Sequence, residues 1–262
     1  MNIAIYGPGR AGGALAIAAV EAGHTIVSVK GRNPDRALAL ADRVGIADGE
    51  ADILIIAVSD DALASIHEMV VPTAVPYVVH VSGAVPVSIL HEFRDAGSII
   101  GSFHPLQTMP DAESGATRLT GASIAVTADE PLRGALFELA ESLGCQPFDV
   151  ADEVKPLYHA AAAAAANATI ASLVVASDLY QSAGVEFSHT RPLVDAVVAN
   201  AFELGPADAL TGPIARGDVA TVEAHVNAVR TAAPESLDAF LSLCKAVAEV
   251  AGRAGEFEGV LR

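Results

Sequence analysis

The opening segment of the chain constrains its fold more than any other. The apolar run Asn2–Tyr6 is typical of a buried parallel strand, and Gly7-x-Gly9-x-x-Gly12 follows it directly and begins an alanine-rich helix. In such a loop the glycines permit a tight turn, a close approach of pyrophosphate to the main chain, and close packing of helix on strand. The sequence therefore predicts a dinucleotide site at a helix N-terminus. The residues predicted to contact the diphosphate are Gly7, Pro8, Gly9, Arg10, Ala11 and Gly12.

The end of the second predicted strand indicates which dinucleotide binds. Strand Thr25–Val29 is followed by Lys30, Gly31 and Arg32. An NAD site usually has Asp or Glu at this point, about 20 residues beyond the glycines, to bind the ribose 2′-hydroxyl. This sequence has no acid there, and the two cations suit a 2′-phosphate. We therefore expect NADP rather than NAD, with a solvated basic turn as the alternative interpretation.

Composition limits the class of protein. The 262 residues, 52% hydrophobic and 18% charged, suffice for one large or two medium domains with a substantial core. A formal net charge of −17 disfavours nucleic acid and anionic membranes as partners. Cys145 and Cys244 form no disulfide framework and no metal-ligand spacing, and no signal peptide is apparent, so we expect a cytoplasmic protein without a metal. Ala160–Ala176 is apolar, but its polar side chains favour a buried helix at an interface over a membrane span.

The organisation of the chain changes near residue 150. Before that point apolar runs rich in Ile and Val alternate with helical patterns, which is typical of a parallel sheet covered on both faces. After it only helical patterns remain. The predicted fold is α/β, with an N-terminal Rossmann-type parallel sheet followed by an all-helical C-terminal domain. The predicted domains are residues 1–151, which bind the dinucleotide, and residues 152–262, which contribute substrate contacts and dimerisation.

Ligands of such sheets bind beyond the carboxyl ends of the strands. Val58 and Ser59 follow one predicted strand, Ser82 and Gly83 follow the next, and His104 follows another. We expect Val58, Ser59 and Ser82 to contact the cofactor, and Ser82 and Gly83 to contact substrate. His104 suits a proton donor because its pKa lies near neutrality, although it could instead stabilise its own turn. His80, inside a strand, is predicted to be a core histidine with satisfied hydrogen bonds.

The helical half supplies a second group of polar residues. On a regular helix His159 and Asn167 lie about 80° apart on one broad face, where His159 could act as general acid and Asn167 could orient a carbonyl. An interface between helices that satisfies both side chains is the alternative. Lys155, in the first turn, could equally be solvated. Within Leu210–Asp218, Thr211 and Arg216 could bind an anionic substrate, while Asp218 could cap the next helix.

Four segments together resemble a known family: the glycine loop, Ser102–Pro110, Leu157-Tyr-His-Ala-Ala with Asn167, and Leu210–Asp218. The chain is identified over nearly its whole length as similar to Rossmann-like oxidoreductases whose C-terminal half is a domain of unknown function. The resemblance implies a fold like that of 6-phosphogluconate dehydrogenase, pyrroline-5-carboxylate reductase and ketopantoate reductase. It also implies a homodimer joined through the helical domain.

The resemblance further implies an NADP-dependent oxidoreductase that reduces a small 2-oxo acid, with ketopantoate the first candidate. His159 or His104 would protonate the developing alkoxide, while Asn167 and Arg216 would orient the substrate. Some of these relatives carry Lys-x-x-x-Asn on the helix where this chain has Lys155 and His159, so His159 with Asn167 is the favoured catalytic pair. The alternatives are an imine reductase like pyrroline-5-carboxylate reductase, and a non-catalytic NADP-binding sensor or scaffold.

Overall fold

The chain divides into two units, Met1–Ala162 and Ala163–Arg262, in a computed structural model that describes residues 1–72 and 75–262. The first unit extends past residue 151, where we expected a domain boundary. It does so because side chains of the helix that begins at Lys155 bond to the sheet: the Lys155 Nζ atom to Ser82 and Ser102, and the Tyr158 hydroxyl to His104.

A seven-stranded sheet forms the centre of the first unit. Its order is β2-β1-β3-β4-β5-β6-β7, so the direction of strand addition reverses beside β1. All neighbouring strands pair in parallel except β5 and β6, which are antiparallel. The strands are β1 Asn2–Tyr6, β2 Thr25–Lys30, β3 Ile53–Ile56, β4 Tyr77–His80, β5 Ile99–Leu106, β6 Ser123–Thr127 and β7 Gln146–Asp149. The Rossmann-type prediction is confirmed, but the prediction of a parallel sheet is wrong for the β5–β6 pair. A buried apolar strand can pair in parallel or antiparallel, so its composition does not indicate the antiparallel pairing of β5 and β6.

Both faces of this sheet are covered, which explains the continuous apolar runs. In β3, Ile53 and Ile55 belong to one core cluster, whereas Leu54 and Ile56 belong to another. Alternate residues of a strand point to opposite faces, so both faces need apolar side chains. The helices of this unit are α1 Arg10–Glu21, α2 Pro34–Val44, α3 Asp60–Leu63, α4 Ile66–Met69, α5 His91–Asp95, α6 Ala112–Leu119 and α7 Leu132–Ser142, with short 3-10 turns at Val87–Leu90 and Asp152–Val154.

The second unit is entirely helical among its described residues, as predicted. Its core includes Ile214, Val222, Val226 and Phe257. The Asp218 carboxylate accepts hydrogen bonds from the backbone N–H and the hydroxyl of Thr221, so it caps the following helix. From Lys155 onward the helices are α8 Lys155–Ala163, a π-helical turn Ala164–Ala168, α9 Thr169–Ser182, α10 Arg191–Leu204, α11 Pro213–Arg216, α12 Val219–Ala232, α13 Leu237–Val250 and α14 Ala254–Phe257, with 3-10 turns at Phe187–Thr190 and Pro234–Ser236.

One helical stretch, Asp152–Ser182, is long and apolar enough to cross a membrane if judged by length and composition alone. Its most apolar window is only 6% buried within the chain. This helix is therefore largely exposed in a single copy of the chain, and its burial at an interface stays a prediction. Ile170 and Val174, one turn apart on α9, are 61% and 54% exposed.

Candidate active site

The glycine loop lies where the strand order of the sheet reverses, between the carboxyl ends of β1 and β3. Gly7 has φ +105°, and a Cβ atom there would collide with the Ala57 carbonyl. A Cβ atom on Gly12 would collide with the Gly7 carbonyl, so α1 packs closely against the turn. At Gly9, by contrast, no described atom lies within 4 Å of the position a Cβ would take. The loop is thus closed on the protein side and open at Gly9, where the first turn of α1 has backbone N–H groups without intrahelical partners.

A cavity of about 250 Å³ adjoins this loop. Gly7, Pro8, Gly9, Val58 and Ser59 line it, together with Arg32, as the sequence predicted for a nucleotide site. Its lining also contains Tyr6, Asn33, Arg36, Ala57, Ala62 and Met69. Lys30, at the end of β2, is exposed and is not among the described lining residues.

Arg36 is a basic cavity residue that the sequence analysis missed. It lies in the first turn of α2, where its backbone N–H donates to the Asn33 side chain at 3.0 Å. A signal for it was available, because Asn33-Pro34 marks a helix start and a first-turn residue lies near the end of the preceding strand. Arg32 and Arg36 provide two guanidinium groups in one cavity. This donor set, with the open Gly9 and the helix N-terminus, fits a dinucleotide that carries an additional phosphate on its ribose.

A second cavity, of about 480 Å³, also has Ser59 in its lining. His104 and Arg10 both line it. The remaining lining residues are Ala11, Ser59, Val81, Pro105, Gln107 and Met109. Since Ser59 lines both cavities, a ligand that extends from the first cavity past Ser59 would enter the cavity that His104 lines.

His104 is paired with Tyr158 of α8. The His104 Nδ1 atom lies 2.9 Å from the Tyr158 hydroxyl oxygen, and the two rings meet edge to face. Burial, reinforced by the charges of His159 and Lys155, lowers the pKa of His104 to about 4. Burial also raises the pKa of Tyr158 to about 12. Both groups are therefore neutral near pH 7, and the imidazole can serve as a neutral hydrogen-bond donor rather than as an imidazolium.

Gly83 lies close to the rings of both candidate acids, His104 and His159. A Cβ atom on Gly83 would lie 2.7 Å from His104 Cε1 and 2.8 Å from His159 Nδ1, too close for either ring. The His104 and His159 ring centroids are 5.8 Å apart. The His159 Nδ1 atom is buried and has no hydrogen-bond partner among the described residues. The structure thus brings His104, His159 and Gly83 together, with Ser82 next to them along the chain.

Lys155 is buried, so the interpretation of this residue as solvated is wrong. It is 2% exposed, and its Nζ atom donates to the Ser82 carbonyl at 3.1 Å and to Ser102 Oγ at 2.6 Å. Burial lowers the pKa of Lys155 to about 8, although the nearby Asp152 and Asp60 act in the opposite direction. Sequence separations of 73 and 53 residues give no local signal for these contacts.

His80 is a buried core histidine as predicted, but only one of its ring nitrogens has a hydrogen-bond partner among the described residues. Its Nδ1 atom accepts a hydrogen bond from the Ser82 backbone N–H at 3.1 Å, but Nε2 is buried without a partner of good geometry among the described residues. Burial first, and the charge of Lys155 second, lower the pKa of His80 to about 3. His80 is thus a neutral core histidine that is only half satisfied.

The remaining predicted site residues belong to the second unit. Asn167 is exposed within the π-helical turn Ala164–Ala168, Thr211 is exposed in a loop, and Arg216 is exposed at the end of α11. The π turn invalidates the predicted angle between His159 and Asn167, because that angle assumed a regular α-helix throughout. Across residues 1–72 and 75–262, no group of three or more His, Cys, Asp or Glu side chains could hold a metal ion.

Two family models match the sequence. Residues 2–86 match a family described as NADP oxidoreductase, coenzyme F420-dependent, and residues 122–247 match a domain of unknown function, DUF2520. The second match begins before β6 and therefore includes the last two strands of the sheet. None of the curated proteins compared with the sequence matches it. The two family matches confirm the resemblance inferred from the motifs.

Solved structures share the fold over nearly the whole chain. A candidate NADP oxidoreductase from Bacteroides fragilis is 23% identical, with a TM-score of 0.80 over 95% of this chain and 98% of that one. A reductive aminase from Aspergillus terreus, solved with NADPH and ethyl levulinate, is 17% identical, with a TM-score of 0.70 over 97% and 94%. An imine reductase from Streptomyces aurantiacus is also 17% identical, with a TM-score of 0.68 over 98% and 99%. At these identities the likeness establishes the fold.

Proposed function

Because the chain pairs the NADP-binding Rossmann-like domain of an oxidoreductase family with DUF2520, we propose that it is an NADPH-dependent reductase of a carbonyl group in a small 2-oxo acid. The observation that carries the proposal is a neutral histidine, His104, in the cavity that adjoins the nucleotide cavity at Ser59. Bound NADPH would supply the hydride. Gly9 and the first turn of α1 would bind its diphosphate, and Arg32 and Arg36 would bind its 2′-phosphate.

His104 would act on the substrate oxygen. In the tautomer that this role requires, the Tyr158 hydroxyl would donate to Nδ1 and the imidazole proton would be on Nε2. A neutral imidazole N–H can donate to the carbonyl oxygen as negative charge develops there, and can then transfer its proton to the alkoxide. His159, packed against the His104 ring, remains the alternative acid. Arg10, which lines the same cavity, supports an anionic substrate because a guanidinium binds a carboxylate in bidentate geometry. Thr211 and Arg216 remain proposed contacts of the same kind, and Asn167 a proposed carbonyl donor.

Imine reduction is the second candidate. It is favoured by the shared fold with the reductive aminase and the imine reductase. An iminium substrate arrives protonated, so it needs no acid, whereas a carbonyl substrate needs a proton for its oxygen. The requirement for His104 thus separates the two reactions.

A turnover screen tests the proposal directly. The purified protein is incubated with NADPH and either a panel of 2-oxo acids that includes ketopantoate or a panel of cyclic imines, and NADPH oxidation is followed. We expect turnover with a 2-oxo acid that is lost in His104→Gln. Turnover with imines alone, unaffected by H104Q, would favour the second candidate. NADPH binding without turnover of any substrate would favour a sensor or scaffold.

We further propose that the protein is a cytoplasmic homodimer joined through its helical unit. The support is the exposed apolar surface of α9 and α10, on which Val198 and Phe202, one turn apart, are 44% and 89% exposed. The apolar face itself favours a second copy as its partner, and the net charge of −17 disfavours an anionic membrane. Light scattering after size exclusion should show a dimer for the wild type and a monomer for Phe202→Glu. Leu38→Glu, at an apolar side chain of the first unit that is 62% exposed, is the control and should remain dimeric.

A further inference from the structure

The Lys155 side chain bonds to both β5 and the turn that follows β4, a link that no other described side chain makes in this way. Its Nζ atom donates to the carbonyl of Ser82, which follows β4, and to the hydroxyl of Ser102, which lies in β5. The two strands are neighbours, and His80 in β4 pairs with Ser102 in β5. Since Lys155 is 2% exposed, this cross-link lies inside the first unit.

Both of these positions lie beside a residue of the proposed site. The Ser82 side chain accepts hydrogen bonds from the backbone N–H groups of Ala84 and Val85, so it shapes the turn that contains Gly83. His104 follows Ser102 by two residues, and residues two apart in a strand lie on the same face. A shift of β4 relative to β5 would therefore alter the spacing of Gly83 and His104, where a Cβ atom added to Gly83 would lie only 2.7 Å from His104 Cε1.

We propose that Lys155 is a positioning residue, whose buried ammonium group ties the turn after β4 to the middle of β5 and thereby holds Gly83 and His104 in register. The proposal rests on the proposed reductase function, because it assigns a catalytic role to His104. Lys155 itself does not act as the proton donor: two protein acceptors hold its Nζ atom, and its side chain is closed to solvent.

The charge of Lys155 acts on the same histidine. The titratable groups that face it are His80 of β4, His104 of β5, Asp60 of α3 and Asp152 before α8. Its ammonium lowers the pKa of both histidines in addition to the effect of burial, while the two carboxylates favour its charged form. Lys155 thus helps to keep His104 neutral, the state in which its Nε2 can donate.

Two variants and one control test the proposal. Lys155→Met removes the charge at similar length, and Lys155→Arg retains the charge. Lys245→Met is the matched control, since it makes the same replacement at an exposed lysine of the second unit. The primary readout is NMR of the histidine ring signals as a function of pH, which requires no turnover.

In the wild type, the ring signals of His104 should change with a midpoint near pH 8, the pKa of Lys155, although His104 itself is neutral there. K245M should retain this transition, and K155M should abolish it and raise the pKa of His104. A His104 ring spectrum and pKa in K155M that match those of the wild type would overturn the proposal. If K155M does not fold, the same comparison is made with K155R, which changes the geometry of the cross-link and retains its charge.

Kinetics give the second readout. In K155M, kcat should fall about 10- to 100-fold, while the Kd for NADPH stays near the wild-type value, because misplacement of a reacting group by about 1 Å costs rate on this scale. K155R should be more active than K155M. A wild-type kcat in K155M would overturn the proposal and leave the reductase function standing. If no substrate is turned over, the reductase function fails, while the NMR transition still reports on the cross-link.

Discussion

At the scale of single residues, Arg32 and Arg36 differ from Lys30 because both arginines are among the residues that line the nucleotide cavity. Replacement of Arg36 by alanine should raise the Kd for NADPH about tenfold or more and leave the Kd for NADH unchanged. The reason is that a hydrogen bond to a charged group contributes about 1.5–3 kcal/mol, and about 1.4 kcal/mol corresponds to a factor of ten. Thermal-shift titrations with each dinucleotide measure both constants. Lys30→Ala is the control, and a larger loss in K30A than in R36A would assign the phosphate to Lys30 instead.

The two candidate acids can be separated by the same substitution at each position. H104Q should lower kcat by about 10²- to 10⁴-fold, the usual range for loss of a general acid, because it removes the donor in the cavity. His159→Gln should have a smaller effect. A decrease of less than about tenfold in H159Q would eliminate His159 as the acid, whereas a larger decrease in H159Q than in H104Q would reverse the assignment. Steady-state kinetics at saturating NADPH measure both.

At the scale of structural elements, two glycines of the loop from β1 to α1 have different roles: Gly9 is expected to serve cofactor binding, and Gly12 is expected to serve folding. Gly9 has φ −91° and open space around its Cβ position, so Gly9→Ala should fold normally and lose NADPH binding, because the new methyl group occupies the path of the diphosphate. Gly12→Ala should instead destabilise the apo protein by about 1–3 kcal/mol, since its Cβ meets the Gly7 carbonyl. Thermal unfolding with and without NADPH distinguishes the two variants. A G9A protein that NADPH stabilises as it does the wild type would contradict the placement of the diphosphate.

Sequence patterns predicted which helices and strands form better than they predicted the direction of strand pairing and the local helix geometry. The glycine loop, the order of strands and helices and the capping Asp218 follow from local periodicity and local hydrogen bonding, which a few neighbouring residues encode. The direction of β6 and the π turn Ala164–Ala168 do not. An apolar strand pairs equally well in either direction, and an alanine-rich stretch carries no side-chain signal for a widened turn.

At the scale of the whole molecule, buried histidines should make stability sensitive to acid. The folded-state pKa values of His80 and His104 are lowered from 6.5 to about 3 and about 4, mainly by burial. The unfolded chain therefore binds more protons than the folded one below pH 6.5, and stability falls as the pH drops from 6.5 towards 4. Urea unfolding at about pH 7 and about pH 5 should show a smaller loss in the double variant H80Q/H104Q than in the wild type. An equal loss of stability in the double variant and the wild type would mean that groups other than His80 and His104 cause the acid sensitivity.

The sequence by itself determined the Rossmann-type α/β unit, the helical unit that follows it, the position of the dinucleotide loop and the preference for NADP, because glycines, apolar periodicity and basic residues act over short distances along the chain. Only the tertiary structure decided that Lys155 is buried, that Arg36 faces the nucleotide cavity and that Tyr158 pairs with His104. Each of these depends on contacts between distant segments, such as the 73 residues that separate Lys155 from Ser82. A lysine in the first turn of a helix has the same local sequence whether its ammonium group is solvated or bonds to the sheet. Packing alone selects between these two environments.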